Sequence, residues 1–346
     1  MYLFGSLSKH RGALFVSCAA NMGAILMGFE AAGIGAILAL RRYVLTLAPG
    51  VIQWPACFNT GGCSFKLDFN LATNSAAYAD AAGTVVTLLN AGALTGCVAP
   101  SVLGQRLGRR PIISIAGGFV LLGGILQTAA NAPSLAMVYA GRTIAGFGVG
   151  MITNTVPVFV AECAPKHLRG AMISAFDLFL IIGGLIGFFV TYGCAIHLPA
   201  TDVQWRVAMC IQIPLALLVV ASPWVLAESP RYFAKKGNWV GAVSSLCKLR
   251  SALADDNEIV EEIAEIRAQI DQEIAATQGR SIKELFTKGN WQRLLWGISI
   301  PLVRSHPSYS QIICLMPARL LFGVGIMLSF IVRLSRLQFI TQAYLS

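Results

Sequence analysis

Apolar residues run almost without interruption through residues 13–40, 81–103, 111–130, 134–156, 171–192 and 207–226. Each run is close to the roughly 20 residues that one helix needs to cross a bilayer, so the pattern predicts six membrane-spanning helices. The first run follows Lys9 and Arg11 and is too long for the core of a signal peptide, so it reads as a retained helix. Glu30 interrupts it. Loop charge then alternates. Arg106, Arg109 and Arg110 follow the second run and Lys166 and Arg169 follow the fourth, whereas residues 131–133 carry no charge. Both ends of the six-helix unit are therefore expected on the cytoplasmic side. Arg41 and Arg42, at the far end of the first run, oppose this orientation and are outweighed by the other loops.

The pattern changes after the sixth run. Residues 228–293 hold ten basic and ten acidic residues, and their apolar density is that of a soluble segment. Ser229 and Pro230 form a good N-cap and first-turn pair. Ile259, Ile263, Ile266, Ile270 and Ile274 recur at helical spacing, with Glu258, Glu261, Glu262, Glu265 and Arg267 between them. Such amphipathic helices are expected to lie against the cytoplasmic ends of the spans, the alternative being a solvated helical linker. Beyond Arg293 the pattern degrades: residues 294–303 make half a span, and residues 312–332 contain Pro317 and Arg319. Arg304, Arg319, Arg333 and Arg336 stand there without an acidic residue, and a bare Arg at mid-membrane is costly.

The expected division is thus a cytoplasmic N-terminus over 1–12, a six-helix transmembrane domain over 13–227, a cytoplasmic helical loop over 228–293, and a truncated or aberrant tail over 294–346 holding at most a partial seventh helix. The fold class is an all-α membrane protein. Composition agrees: 56% of residues are hydrophobic and only 12% charged, against about 25% charged in soluble domains. No separate soluble enzyme domain fits. Lys and Arg number 26 against 16 Asp and Glu, but they sit at the ends of apolar runs as topology signals, not in a stripe that would bind nucleic acid. Nine Cys include no CxxC spacing, and Cys18, Cys97, Cys194, Cys210 and Cys314 fall within apolar runs, so neither a zinc site nor a disulfide framework is indicated. Cys57 and Cys63 share one loop, and whether they pair stays open. His10, His167, His197 and His306 are scattered and build no catalytic site; no cofactor and no metal is implied.

Five local patterns occur in order around these helices. Between the second and third runs stands Gly104-Gln105-Arg106-Leu107-Gly108-Arg109-Arg110, and in the fourth Gly141-Arg142-Thr143-Ile144-Ala145-Gly146-Phe147-Gly148-Val149-Gly150. Pro157, Glu162, Pro165, Arg169 and Gly170 follow, Trp205-Arg206 opens the sixth run, and Glu228-Ser229-Pro230-Arg231 closes it. Together these resemble the sugar porter family of the major facilitator superfamily over about residues 20 to 290. The resemblance implies that residues 13–227 are the N-terminal six-helix bundle of that superfamily. It departs from the family pattern at Gln105, where an Asp is usual, and at Ala227, where a Pro is usual.

Without the resemblance, Arg106, Arg109, Arg110, Glu162, Arg169, Glu228 and Arg231 all fall at cytoplasmic helix ends. Opposite charges there can pair across neighbouring helices and hold one packing arrangement, which is a two-state element of the kind alternating access requires. The resemblance assigns them to a cytoplasmic gate; for the arginines, plain positive-inside anchoring is the competing account. Gly146, Gly148 and Gly150 lie inside an apolar span with no strand before them, so close helix packing explains them better than nucleotide binding, as it does Gly92 and Gly96.

Ionisable groups inside spans are functional candidates because burying them is costly. Glu30, Arg142 and Asp177 qualify. Gly28-Phe29-Glu30 is similar to the family's Gly-Tyr-Asp element, whose acid couples protons in symporters and pairs with the arginine matched by Arg142. A static ion pair joining the first and fourth spans is the competing account. Asp177 stands where the family carries a substrate-binding Gln, and a carboxylate cannot donate the amide's N–H. Ordinary hexose recognition is thereby in question, and a polyol, an organic acid analogue or a lost function are all compatible with it.

The resemblance implies transport of a sugar or related polyol by alternating access between two six-helix halves, with symport to protons as one option. It places the chain in the lipid bilayer, multi-pass, at the plasma membrane. The family's seventh-helix Gln-Gln-x-x-x-Gly-x-Asn stretch has no counterpart in the tail, although Arg293-Leu294-Leu295-Trp296-Gly297 and Arg319-Leu320-Leu321-Phe322-Gly323 both look like the opening of that helix. Two readings result. The chain is the N-terminal half of a carrier, working with a second half-transporter, or it is a non-transporting truncated fragment or sensing subunit. The expectation that the tail is aberrantly translated is decided by sequencing the transcript across the codons for residues 295 to 346; an uninterrupted message ending at Ser346, with matching protein, refutes it.

Overall fold

The computed structural model describes residues 11–47, 65, 69, 76–198, 201–224 and 226–277. The tail over 294–346 and the Cys57–Cys63 loop lie outside the described residues. The chain divides into two compact units, Met1–Gln272 and Glu273–Ser346. Only residues 273–277 of the second are described, as the last turns of a helix; the spans belong to the first.

Every regular element among the described residues is helical. In order these are α1 (Arg11–Leu47), α2 (Ala76–Gly96), α3 (Ala99–Leu107), α4 (Arg109–Thr128), α5 (Ala136–Cys163), α6 (Arg169–His197), α7 (Asp202–Cys210), α8 (Gln212–Ala221), a 3-10 turn (Ser222–Trp224), α9 (Pro230–Lys235), α10 (Trp239–Arg250) and α11 (Asn257–Thr277). Five segments are long and apolar enough to cross a membrane, and α2 with α3, bent by 43° at their junction, passes the same test as a pair. The bend falls just before Pro100, which stands in the first turn of α3, where its missing N–H costs no hydrogen bond. Helices lie over all six expected runs, five of them long and apolar enough to span by themselves, and the chain forms an integral, multi-pass, all-α membrane protein. The fourth span runs to Cys163 rather than 156, through Pro157.

The starts of the first, third and fifth spans and the ends of the second, fourth and sixth gather at one end, called the inner end after the side that the loop charges lead one to expect. Gly12 lies against the backbone of Lys248 and Leu249, and Arg109 reaches both Glu162 and Glu228. At the other end Arg206 Nη2 donates to the Ala130 carbonyl at 3.2 Å, and Trp205 packs with Phe65 and Phe69.

Helix α5 is central. It packs on α2, α4 and α1, while α6 packs along α1 and α8 closes against α4 and α1. Lipid supplies no hydrophobic drive between helices, so close packing must hold them. Gly92 and Gly96 of α2 face Gly146 and Gly150 of α5. A Cβ on Gly146 would be driven into the Leu89 carbonyl oxygen, one on Gly150 into that of Ala93, and one on Gly92 into that of Thr143. The backbones therefore touch directly. By contrast α6 is the least buried of the five unbroken spans, with Leu178, Leu185 and Phe189 among its exposed apolar residues.

Helices α9 and α10, and α11 as far as Gln272, belong to the same compact unit as the spans. Helix α10 packs on α1, and the apolar face of α11 packs through Ile263, Ile266 and Ile270 on Phe233, Ala234, Trp239 and Ala242 of α9 and α10. Most of α11 thus reaches the bundle through α9 and α10, with Lys166 pairing to Glu265 as a direct tie. Ile274 is exposed. Ser229 is the N-cap of α9 and Pro230 its first residue, but the Ser229 hydroxyl makes no capping bond; its carbonyl starts the helix instead.

Gly150→Ala should cost about 1–3 kcal/mol by overpacking, read as a lower thermal midpoint in detergent. Gly83→Ala, where a Cβ meets nothing within 4 Å, should not lower it. Equal midpoints for the two would refute the close approach of α2 to α5.

Candidate functional site

Glu30 on α1 and Arg142 on α5 meet in the bundle interior. Their side chains are 1% and 3% exposed, and Arg142 Nη1 lies 2.9 Å from Glu30 Oε2. The same nitrogen donates to the Glu30 backbone carbonyl at 3.2 Å. Glu30 Oε1 and Arg142 Nε have no hydrogen-bond partner among the described residues. Each charge answers the other's burial, and removing one partner of such a pair costs about 3–5 kcal/mol. The arrangement fits both roles that the sequence leaves open, a fixed link between two spans and a carboxylate able to take up a proton on its unpaired oxygen.

Asp177 sits elsewhere. It lies on an exposed part of α6. Gly28 and Phe29 of α1 approach Gly184 and Gly187 of α6, which puts Asp177 roughly two to three turns nearer the inner end than Glu30.

The inner rim is built around Glu228. Gly108, at φ +94°, breaks the chain between α3 and α4, and α4 starts at Arg109 with free backbone N–H groups. Glu228 Oε1 accepts from Arg109 N at 3.1 Å and from Ser229 N at 3.0 Å, and Oε2 accepts from Arg110 N at 3.4 Å. A carboxylate at a helix N-terminus satisfies these donors and meets the positive end of the helix dipole. Its own carbonyl accepts from the Ser245 hydroxyl on α10. A Cβ on Gly108 would lie 2.6 Å from Glu228 Oε2, so this position demands glycine for its φ and for space.

Arg109 joins three elements. Its Nη2 pairs with Glu162 Oε1 on α5 at 2.9 Å, and its Nη1 donates to the Gly104 carbonyl on α3 at 2.9 Å. The Arg106 carbonyl, at the open C-terminal end of α3, accepts from the Tyr232 hydroxyl at 3.0 Å and Lys236 Nζ at 2.9 Å. Arg231 reaches Gln269 on α11 rather than a carboxylate. Of the seven rim residues, then, Arg109 and Glu162 pair as opposite charges, whereas Glu228 acts on backbone N–H groups. Physically, two adjacent unpaired N–H groups at a helix start are already a fixed anion site, which a flexible arginine need not supply. Arg110 and Arg169 lie nearby, each with its Nε buried and without a hydrogen bond.

Three further groups do not stand out from the sequence as site residues. Arg250, 5% exposed, forms a two-bond pair with Glu262 at 3.0 and 2.7 Å and donates to the Cys163 carbonyl at 3.0 Å, clamping α10 and α11 to the end of α5. Gln127 and Gln212 are buried within spans, with side-chain amide atoms unpaired. The glutamines are visible as polar residues inside apolar runs. Arg250 looks like one more charge in a charged loop.

Residues 15–334 match the family model described as sugar (and other) transporter. The chain is 31% identical over 294 residues to the major facilitator-type transporter ecdD of Aspergillus rugulosus, covering 85% of this chain and 50% of that protein. It is 30% identical over 286 residues to the quinate permease of Neurospora terricola, covering 81% and 49%. Among solved structures, it resembles the proton:xylose symporter XylE bound to 6-bromo-6-deoxy-D-glucose, with a TM-score of 0.64, 22% identity, and coverage of 79% of this chain and 56% of that one. A partially occluded inward open conformation of XylE from E. coli matches with a TM-score of 0.61 at 22% identity, over 75% and 60%. The chain spans about half the length of the curated relatives it matches.

Gly108→Ala should lower stability more than Gly237→Ala. Both have positive φ, but a Cβ at Gly237 meets nothing within 4 Å, so the excess, about 1 kcal/mol or more, reports the Glu228 contact. Thermal unfolding in detergent measures it, and an equal loss at both sites counts against the contact.

Proposed function

Since the chain belongs to the sugar (and other) transporter family, we propose that it forms the N-terminal lobe of an alternating-access carrier for a sugar, a polyol or a related hydroxylated acid. The observation that carries this reading is the Glu30–Arg142 pair, held at full burial between the first and fourth spans. Buried ions inside a membrane are costly to keep and mark the paths of ions and substrates. In the proposed cycle Glu30 is ionised and paired in one state and takes a proton, loosening its hold on Arg142, in the other. Proton movement is thereby linked to the packing of α1 on α5.

The rim supplies the second element. Arg109, Glu162 and Glu228, with Arg106, Arg110, Arg169 and Arg231 beside them, hold the inner ends of α3, α4, α5 and α9 in one arrangement. Releasing Glu228 from the α4 terminus would let those ends part, as opening towards the cytoplasm requires. Asp177, exposed on α6, is the proposed solute contact. Among the relatives, a quinate permease and a xylose symporter are the named precedents for a polyhydroxylated solute. Its side chain accepts hydrogen bonds from solute hydroxyls and donates none at neutral pH. A second six-helix half, in a partner chain, would complete the carrier, and the plasma membrane is the proposed location.

Uptake of labelled xylose and labelled quinate into membrane vesicles from cells that express the full chain together with its second half tests this. A pH step of about one unit stores roughly 1.4 kcal/mol per proton, enough for roughly tenfold accumulation by one-to-one symport. The expected result is accumulation that Glu30→Gln abolishes while downhill exchange persists. Accumulation that survives in Glu30→Gln removes the coupling role. No uptake even in these vesicles favours a non-transporting or sensing role.

A further inference from the structure

A cavity of about 510 Å³ opens at the inner end of the bundle, where the starts of α1 and α4 meet the end of the sixth span and α10. Its wall is amphipathic. Phe15 on α1 and Trp224 after α8 are 60% and 85% exposed, placing apolar surface where the spans leave the membrane. Arg110, Lys248 and Ser244 contribute polar groups to the same wall. Glu228 also borders the cavity, but its two oxygens accept from the backbone N–H groups of Arg109, Arg110 and Ser229, so its charge is answered at the helix end. Arg110 Nε is buried without a hydrogen bond, and among the described residues neither Arg110 nor Lys248 pairs with a carboxylate.

Aromatic surface at the depth of the headgroups, with basic side chains directly behind it, suits an amphiphile whose anionic part lies at the membrane surface. The volume falls in the range that holds small ligands. We propose that this cavity binds the headgroup of an anionic glycerophospholipid from the adjoining leaflet. The phosphate sits between Arg110 and Lys248, and the first acyl carbons lie against Phe15 and Trp224. A soluble anion would use the two cations but would gain nothing from an 85% exposed tryptophan at membrane level. Because Arg110 is in the first turn of α4, beside the Glu228 cap, the bound lipid stabilises the rim with Glu228 seated on the α4 terminus. Lipid composition would then bias the inner end of the lobe independently of the transported solute.

The full chain in phosphatidylcholine nanodiscs, doped with brominated phosphatidylserine or brominated phosphatidylcholine, tests the proposal through tryptophan quenching. Brominated phosphatidylserine should quench more strongly at equal mole fraction, and Trp224→Phe should remove the difference. Lys248 is exposed on α10, so Lys248→Gln should leave the fold intact while weakening the phosphatidylserine preference about fivefold, the effect of one surface cation. Equal quenching by the two lipids, or a preference unchanged by Lys248→Gln or Trp224→Phe, overturns the proposal. Loss of the preference on adding millimolar inorganic phosphate assigns the site to a soluble anion and overturns it as well.

Discussion

Hydrocarbon offers no hydrogen bonds, and every backbone polar group in the spans must therefore find its partner within the protein. That constraint shapes the molecule from the backbone upward. The backbone meets it by being helical, and where one helix stops and another starts, a side chain takes over. Glu228 does this for α4, receiving the N–H groups of Arg109 and Arg110, and Tyr232 and Lys236 do it for the Arg106 carbonyl at the end of α3. Glu30 and Arg142 meet it for buried charge. Close packing is needed for the same reason: lipid solvates apolar side chains as well as a neighbouring helix does, so α2 and α5 associate by bringing their glycines and carbonyls into direct contact.

The groups that satisfy the helix ends also join helices distant in sequence. Arg109 touches α3 and α5, Glu228 ties α4 to α9 and α10, and Arg250 binds α10 to α11 and to the end of α5. The inner end is in consequence one connected network. A change at any member, such as loss of the Glu228 carboxylate from α4, leaves helix-terminal donors unpaired and must be propagated or repaired. Networks of that kind are bistable rather than continuously deformable, which makes them usable as a switch.

Much of this was legible in the residues. Six apolar runs gave six crossings, the alternation of loop charge placed six span ends together, and the paired Gly92/Gly96 and Gly146/Gly150 spacings marked a contact before its partner was known. Glu30 and Arg142 stood out because ions within apolar runs are rare, and the structure brings them to 2.9 Å. The charge pattern also named Arg109 and Glu162 among the rim residues. It could not say that Glu228 would bind backbone N–H groups instead of an arginine, since a carboxylate's sequence position carries no record of which helix end it faces. Nor could it single out Arg250, whose burial arises only when α10 is clamped between α11 and the end of α5.

What the sequence determined by itself was what depends on local period and solvent preference: how many helices, of what length, with which residues too polar to be there without a partner. What only the tertiary structure decided was pairing. Asp177 and Glu30 are both acids within spans, yet one is exposed on α6 and the other lies wholly buried against Arg142. The difference arises because burial and hydrogen bonding depend on the packing of segments 112 residues apart, a distance over which no local pattern of hydrophobicity carries information.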